Sequence, residues 1–130
     1  MALRITLKPQ EKMILGAAVI TNANHTGCNL IIENKVPILR EKDILSENEA
    51  NSPCRRIYFV IQLMYIDEEN LILHQKNYWK LVKDLIEAAP STVALIDQIS
   101  EKIVSGQYYQ ALKLAQKLRD YEQEVLSRVQ

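Results

Sequence analysis

Two cysteines, two histidines and three glycines in a chain of 130 residues leave little material for several kinds of chemistry. Cys28 and Cys54 are too few for a disulfide scaffold, and the opening Met-Ala-Leu-Arg-Ile-Thr-Leu-Lys lacks the apolar core of a secretion signal. Free thiols and a cytoplasmic location are therefore expected. His25 and His74 fall in different elements, and neither forms a metal-ligand pair with a nearby cysteine. No phosphate-binding glycine loop, nucleophile elbow or His-Glu-x-x-His helix is found, so no cofactor, metal or enzyme activity is expected. The longest apolar run, Ile57 to Ile66, is interrupted by Gln62 and falls far short of the ~18 residues that span a bilayer. Sixteen Lys+Arg balance sixteen Asp+Glu, so a nucleic-acid ligand would need a local patch of cations.

What is present suits a folded domain of ordinary composition, with 48% hydrophobic and 25% charged residues. The chain divides near residue 45. Residues 1–45 hold six Lys/Arg against four Asp/Glu, and the remainder ten against twelve. The front part reads as short strands. Leu3, Ile5 and Leu7 alternate with Arg4, Thr6 and Lys8, the period of a strand with one buried face. Pro9-Gln10-Glu11 is a turn, and Lys12 to Ile20 is an apolar run with a bulge or bend at Gly16. Residues 21–27 are rich in turn formers, Cys28 to Glu33 is a strand, and Pro37 to Leu39 a short edge strand.

Beyond Arg40 the period becomes helical. Ser46 and Glu49 have capping-box spacing, and Ser52-Pro53 starts a helix carrying Ile57, Val60, Ile61 and Met64 on one stripe. A second helix begins near Asp67, within the acidic run Asp67-Glu68-Glu69, and ends before Pro90. Ser91 or Thr92 caps a third, which stops at Gly106, and a fourth follows from Tyr108. The expected fold is α+β: an N-terminal antiparallel β module over residues 1–45 and a C-terminal bundle of about four helices over residues 46–130.

Two cationic clusters are candidates for binding. Arg4, Thr6 and Lys8 share the outward face of the first strand, with Lys12 just across a turn. Arg40 and Lys42 leave the last strand, where the planar guanidinium suits phosphate or a base. Arg55 and Arg56 sit at a helix N-terminus, whose N–H groups can also take an anion. Each cluster also fits a solvated face or routine ion pairs. Cys54, beside those arginines, fits a reactive thiol or a small residue in a first turn; the second reading is preferred. His74 fits a hydrogen-bonded residue at the core edge. Tyr108, Tyr109, Tyr121 and Trp79 offer an aromatic groove for a partner helix, or simply close the bundle.

Four segments, Arg4-Ile5-Thr6-Leu7-Lys8-Pro9, Ile31-Ile32-Glu33-Asn34, Leu39-Arg40-Glu41-Lys42-Asp43-Ile44 and Pro53-x-Arg55-Arg56-Ile57-Tyr58-Phe59, resemble the FlbT family of flagellar regulators. The resemblance implies a cytoplasmic bacterial protein that binds the 5′ untranslated region of flagellin mRNA and changes its translation and decay, by repression or activation, beside the flagellar protein FlaF. Residues 10–16 and 36–44 are also similar in layout to the CsrA carbon-storage regulators, β-proteins that dimerise by interleaved strands and bind leader RNA. That similarity implies RNA contacts from Leu3 to Lys8 and from Arg40. Leu39 stands where that family has a histidine, and the first strand has fewer arginines. The expected partners are thus flagellin mRNA, as single-stranded or loop RNA, and a second copy in a homodimer. The competing reading is an adaptor or chaperone in flagellin export, contacting flagellin or FlaF through its helices.

Overall fold

The computed structural model describes residues 2–129. Among the described residues the fold is α+β, with five short antiparallel strands followed by four α-helices. It forms two compact units, Met1–Ile44 and Leu45–Gln130.

In the first unit β1 (Leu3–Leu7) pairs with β4 (Cys28–Ile32), Leu3 opposite Ile32 and Leu7 opposite Cys28. β2 (Lys12–Leu15) is the middle strand of a second sheet, between β3 (Ala18–Thr21) and β5 (Ile38–Arg40). Alternation along β1 buries Ile5 and Leu7 and leaves Arg4 and Thr6 in solvent. Ile5 and Leu7 form one cluster with Met13, against which Leu15, Ile20, Leu30, Ile32 and Ile38 pack. The inner faces of the two sheets therefore meet on this small core.

Gly16, with φ of 62°, opens the two-residue connection between β2 and β3. A positive φ at that position suits a tight hairpin, so the chain reverses fully where a bulge or bend is expected from sequence. Lys12 to Ile20 is two strands rather than one. The preceding turn is closed by the Glu11 N–H donating to the Lys8 carbonyl at 3.1 Å, with Pro9 and then Gln10 at its centre. Gln10 holds a φ of 65°, a conformation that glycine adopts more cheaply. Asn22 is buried and acts as a clamp. Its amide nitrogen donates to the carbonyls of Leu7 (3.0 Å), Lys8 (3.1 Å) and Thr26 (3.0 Å), and its Oδ1 accepts from the Asn24 N–H at 3.0 Å.

In the second unit Ser52 caps α1 (Pro53–Ile66), accepting from the Arg55 N–H, with Pro53 in the first turn. Ile57, Val60, Ile61 and Met64 are buried as their spacing predicts. Gln62 is buried too, because its amide exchanges two 2.9 Å hydrogen bonds with the backbone of Leu45. α1 packs against α2 (Leu71–Ala88) and α4 (Tyr108–Val129), and α4 also against α3 (Val93–Val104). α2 buries Tyr78, Val82 and Leu85, α3 Ile96, Ile99 and Ile103, and α4 Ala111, Leu112, Ala115 and Leu118.

Two boundaries differ from the sequence reading. Asp67 ends α1 rather than starting α2, because its carboxylate folds back to meet Asn70 (3.0 Å) and His74 (2.9 Å), and a 3-10 turn, Glu68–Asn70, leads into α2. Thr92 holds the N-cap position of α3 without a side-chain cap: its hydroxyl donates to the Ala89 carbonyl at 2.7 Å, and Ser91 pairs with the Tyr121 hydroxyl at 3.0 Å. Ser46 and Glu49 do form a reciprocal capping box, yet it opens only a single 3-10 turn, Glu47–Glu49. Gly106, at φ 75°, ends α3 as expected, with its own N–H on the Ile103 carbonyl and that of Gln107 on the Lys102 carbonyl.

Candidate nucleic-acid interface

The six residues proposed from sequence within the β unit do not gather on one surface. Strand register separates them. Arg4 and Thr6 lie on the outer face of β1–β4 beside Asn29 and Ile31, the Thr6 hydroxyl donating to the Asn29 Oδ1 at 2.8 Å. Lys12 has the opposite parity to Met13, so it leaves the second sheet on the side away from the core cluster. It therefore does not join Arg4 and Thr6 as the tight turn suggests. Arg40 pairs across β2 with Met13 and shares the inner face with it.

That inward direction decides what Arg40 does. Its Nη2 donates to the Thr6 carbonyl at 2.9 Å and meets both carboxylate oxygens of Glu11 at 3.3 and 3.2 Å. Arg40 thus braces β5 against β1 and the Lys8–Glu11 turn. The Lys8 backbone N–H, donating at 2.8 Å, and then the Arg40 guanidinium hold the Glu11 carboxyl below its ordinary range. A carboxyl depressed in the folded state stabilises above its ordinary value of 4.5, and that contribution is lost as pH falls through the lower folded value. Acid titration is accordingly expected to loosen the β unit below about pH 4.5, and Glu11→Gln to flatten that dependence; circular dichroism against pH checks it.

Around this brace lies a cleft of about 720 Å³ lined by Lys8, Pro9, Gln10, Glu11, Arg40, Glu41 and Lys42. Three of the predicted cations meet here. Arg40 and Glu11 neutralise one another, whereas Lys8 and Lys42 are exposed and, among the described residues, have no carboxylate within 4.0 Å. Glu41 is the remaining acid. The cleft has room for an anion between two exposed ammonium groups, with the Pro9-Gln10 turn as one wall.

The N-terminus of α1 is already occupied. The Glu122 carboxylate, from α4, accepts from the Ser52 hydroxyl and, at 3.2 Å, from the Cys54 N–H. It takes the place an external anion would need at the first turn of the helix. Arg55 turns to Asn51 Oδ1 at 2.9 Å rather than to Glu47 or Glu49. Burial, reinforced by Glu122, pushes the Cys54 thiol up to about 12, so it is held as an unreactive thiol. Glu122→Ala is expected to cost about 1–2 kcal/mol of stability, read by urea denaturation, because it strips the helix of a charged cap.

Elsewhere in the helical unit, His74 is buried and anchored to Asp67. The aromatic residues do not form one groove. Tyr109 packs at a tilt against Tyr65 with ring centres 5.5 Å apart, Tyr121 reaches Ser91, and Tyr108 accepts from Gln75 at 3.3 Å. Trp79 lines a separate depression with none of the tyrosines. Among the described residues no cluster of three or more His, Cys, Asp or Glu is placed to hold a metal. No described helix is long and apolar enough to cross a membrane.

Together these features define a small α+β protein whose paired-sheet unit carries a lysine-flanked cleft. The family model of the flagellar protein FlbT matches residues 3–126. A probable flagellum biosynthesis repressor protein FlbT 1 of Bradyrhizobium diazoefficiens is 43% identical over 125 residues, covering 96% of this chain and 85% of that protein. A probable flagellum biosynthesis repressor protein FlbT of Rhodopseudomonas palustris is 43% identical over 128 residues, covering 98% of this chain and all of that protein. The flagellum biosynthesis repressor protein FlbT of Caulobacter vibrioides is 36% identical over 131 residues, covering 99% and 92%. The chain belongs to the FlbT family. No solved structure matches it.

Proposed function

We propose that this chain is a regulator of flagellum synthesis that acts after transcription, binding the 5′ untranslated region of flagellin mRNA and altering its translation and stability. The names of its relatives support the flagellar and repressive side of this reading. The observation that carries the RNA side is the cleft between the Lys8–Glu11 turn and the end of β5, with Lys8 and Lys42 open on its rim. Each ammonium neutralises one phosphate, and release of counterions drives such binding. The exposed Arg4, on the outer face of β1, adds a further cation to the same unit. Arg40 positions the rim and is not itself a phosphate contact. Single-stranded or loop RNA fits better than duplex, because an A-form helix hides its base edges from side chains.

Fluorescence anisotropy of labelled flagellin leader RNA, against a shuffled RNA of the same composition, tests the proposal. Specific, salt-sensitive binding of the leader is expected. Equal binding of both RNAs, or none at moderate salt, overturns it.

A further inference from the structure

α2 carries a second cationic surface. Lys76, Trp79, Lys80 and Lys83 are spaced i, i+3, i+4 and i+7, so they share one face of the helix. All four are exposed, Trp79 at 46%. No acidic residue lies between Leu71 and Lys83, and among the described residues none of the three lysines has a carboxylate within 4.0 Å. Beside this face, α2 and α3 leave a groove of about 490 Å³ with Trp79, Val82, Ile86 and Ile96 among its lining residues. Asp97 stands on the α3 side. The Trp79 indole is fixed by an edge-on contact with Tyr78, ring centres 4.9 Å apart, and Tyr78 is itself hydrogen-bonded to Ser100 at 2.8 Å.

We infer that this face is a contact site for single-stranded RNA, in which a base stacks on Trp79 and the flanking phosphates lie along Lys76, Lys80 and Lys83. Charge complementarity selects the ligand: three lysines without an acid before Asp84 face a polyanion. The exposed indole selects a single strand, since unstacked bases are what an aromatic side chain can cover. The groove is about two helical turns long from Trp79 to Ile86, roughly 10 Å, which suits a base or two better than a long amphipathic partner helix. Asp97 keeps the phosphates off the α3 side, and Glu87, one turn beyond Lys83 on α2, ends the cationic run. The site rests on the reading of leader RNA as the ligand and adds a second contact, on the helical unit.

Trp79 is the only tryptophan in the chain, so its emission reports this site alone. The full chain is titrated with flagellin leader RNA and with short oligouridylate, reading tryptophan emission and the anisotropy of the labelled RNA together. Quenching of Trp79 that follows the binding curve is expected. Lys76→Gln/Lys80→Gln/Lys83→Gln should weaken affinity roughly tenfold, abolish the quenching and lower the salt slope by about 2. RNA binding with unchanged emission overturns this site and leaves the leader-binding proposal standing. Absence of binding in both readouts overturns both. Quenching by oligoglutamate as strong as that by RNA overturns the nucleic-acid assignment in favour of an acidic protein partner. Quenching that persists in the lysine variant overturns the role of the cations.

Discussion

Asn22→Asp is expected to unfold the β unit while the helical unit keeps its far-ultraviolet signal. Asn22 uses one amide nitrogen to satisfy three backbone carbonyls, those of Leu7, Lys8 and Thr26. Aspartate removes the donor and sets a negative charge against those oxygens, and folding must either protonate it or expel it from the core. Asn22→Ala, which only removes the donor, is expected to cost about 2–4 kcal/mol, since each carbonyl left without a partner costs about 1–3 kcal/mol if buried and less where water reaches it. The β unit has little reserve: at about 0.05–0.15 kcal/mol per residue, some 44 residues supply only about 2–7 kcal/mol. Loss of hydrogen-exchange protection across β1 to β5, with α1 to α4 still protected, is the expected result. Protection of β1 unchanged in Asn22→Asp would show that the clamp matters little.

Lys8→Glu/Lys42→Glu is expected to lower affinity for flagellin leader RNA by about 100-fold at moderate salt. Each substitution removes one neutralised phosphate and adds a repelling charge, and the slope of log affinity against log salt should fall by at least ~1.4, at about 0.7 for each lost contact to a single strand. Arg40→Ala is expected to behave differently. Its guanidinium is tied to Glu11 and to the Thr6 carbonyl, so the variant should loosen the β unit while changing the salt slope little. The contrast separates a rim that touches RNA from a brace that positions it. Equal slope changes in the two variants would return Arg40 to the contact surface.

Much of the fold was legible because its signals are local. The alternation of Leu3 to Lys8, the Ser52-Pro53 start and the Gly106 stop each depend on a few neighbouring residues. The direction of Arg40 was not legible, because it follows from pairing Arg40 with Met13 across a register that no local pattern specifies. Lys12 misled for the same reason: it is close to Lys8 in sequence, but the intervening turn moves it to another sheet. Glu122 is distant in sequence from the helix end it caps, so only the packing of α1 on α4 reveals it. Asn22 gave one visible signal, an asparagine among turn formers, but its burial comes from the meeting of two turns. The cationic face of α2 is readable from spacing alone, Lys76, Lys80 and Lys83 standing at i, i+4 and i+7.

Photo-crosslinking tests the central claim most directly. Flagellin leader RNA carrying 4-thiouridine is bound to the full chain and irradiated, and the linked peptides are mapped by mass spectrometry. Adducts within residues 4–12 and 40–42, lost when excess unlabelled leader competes, are the predicted result. Specific adducts confined to other parts of the chain would contradict it.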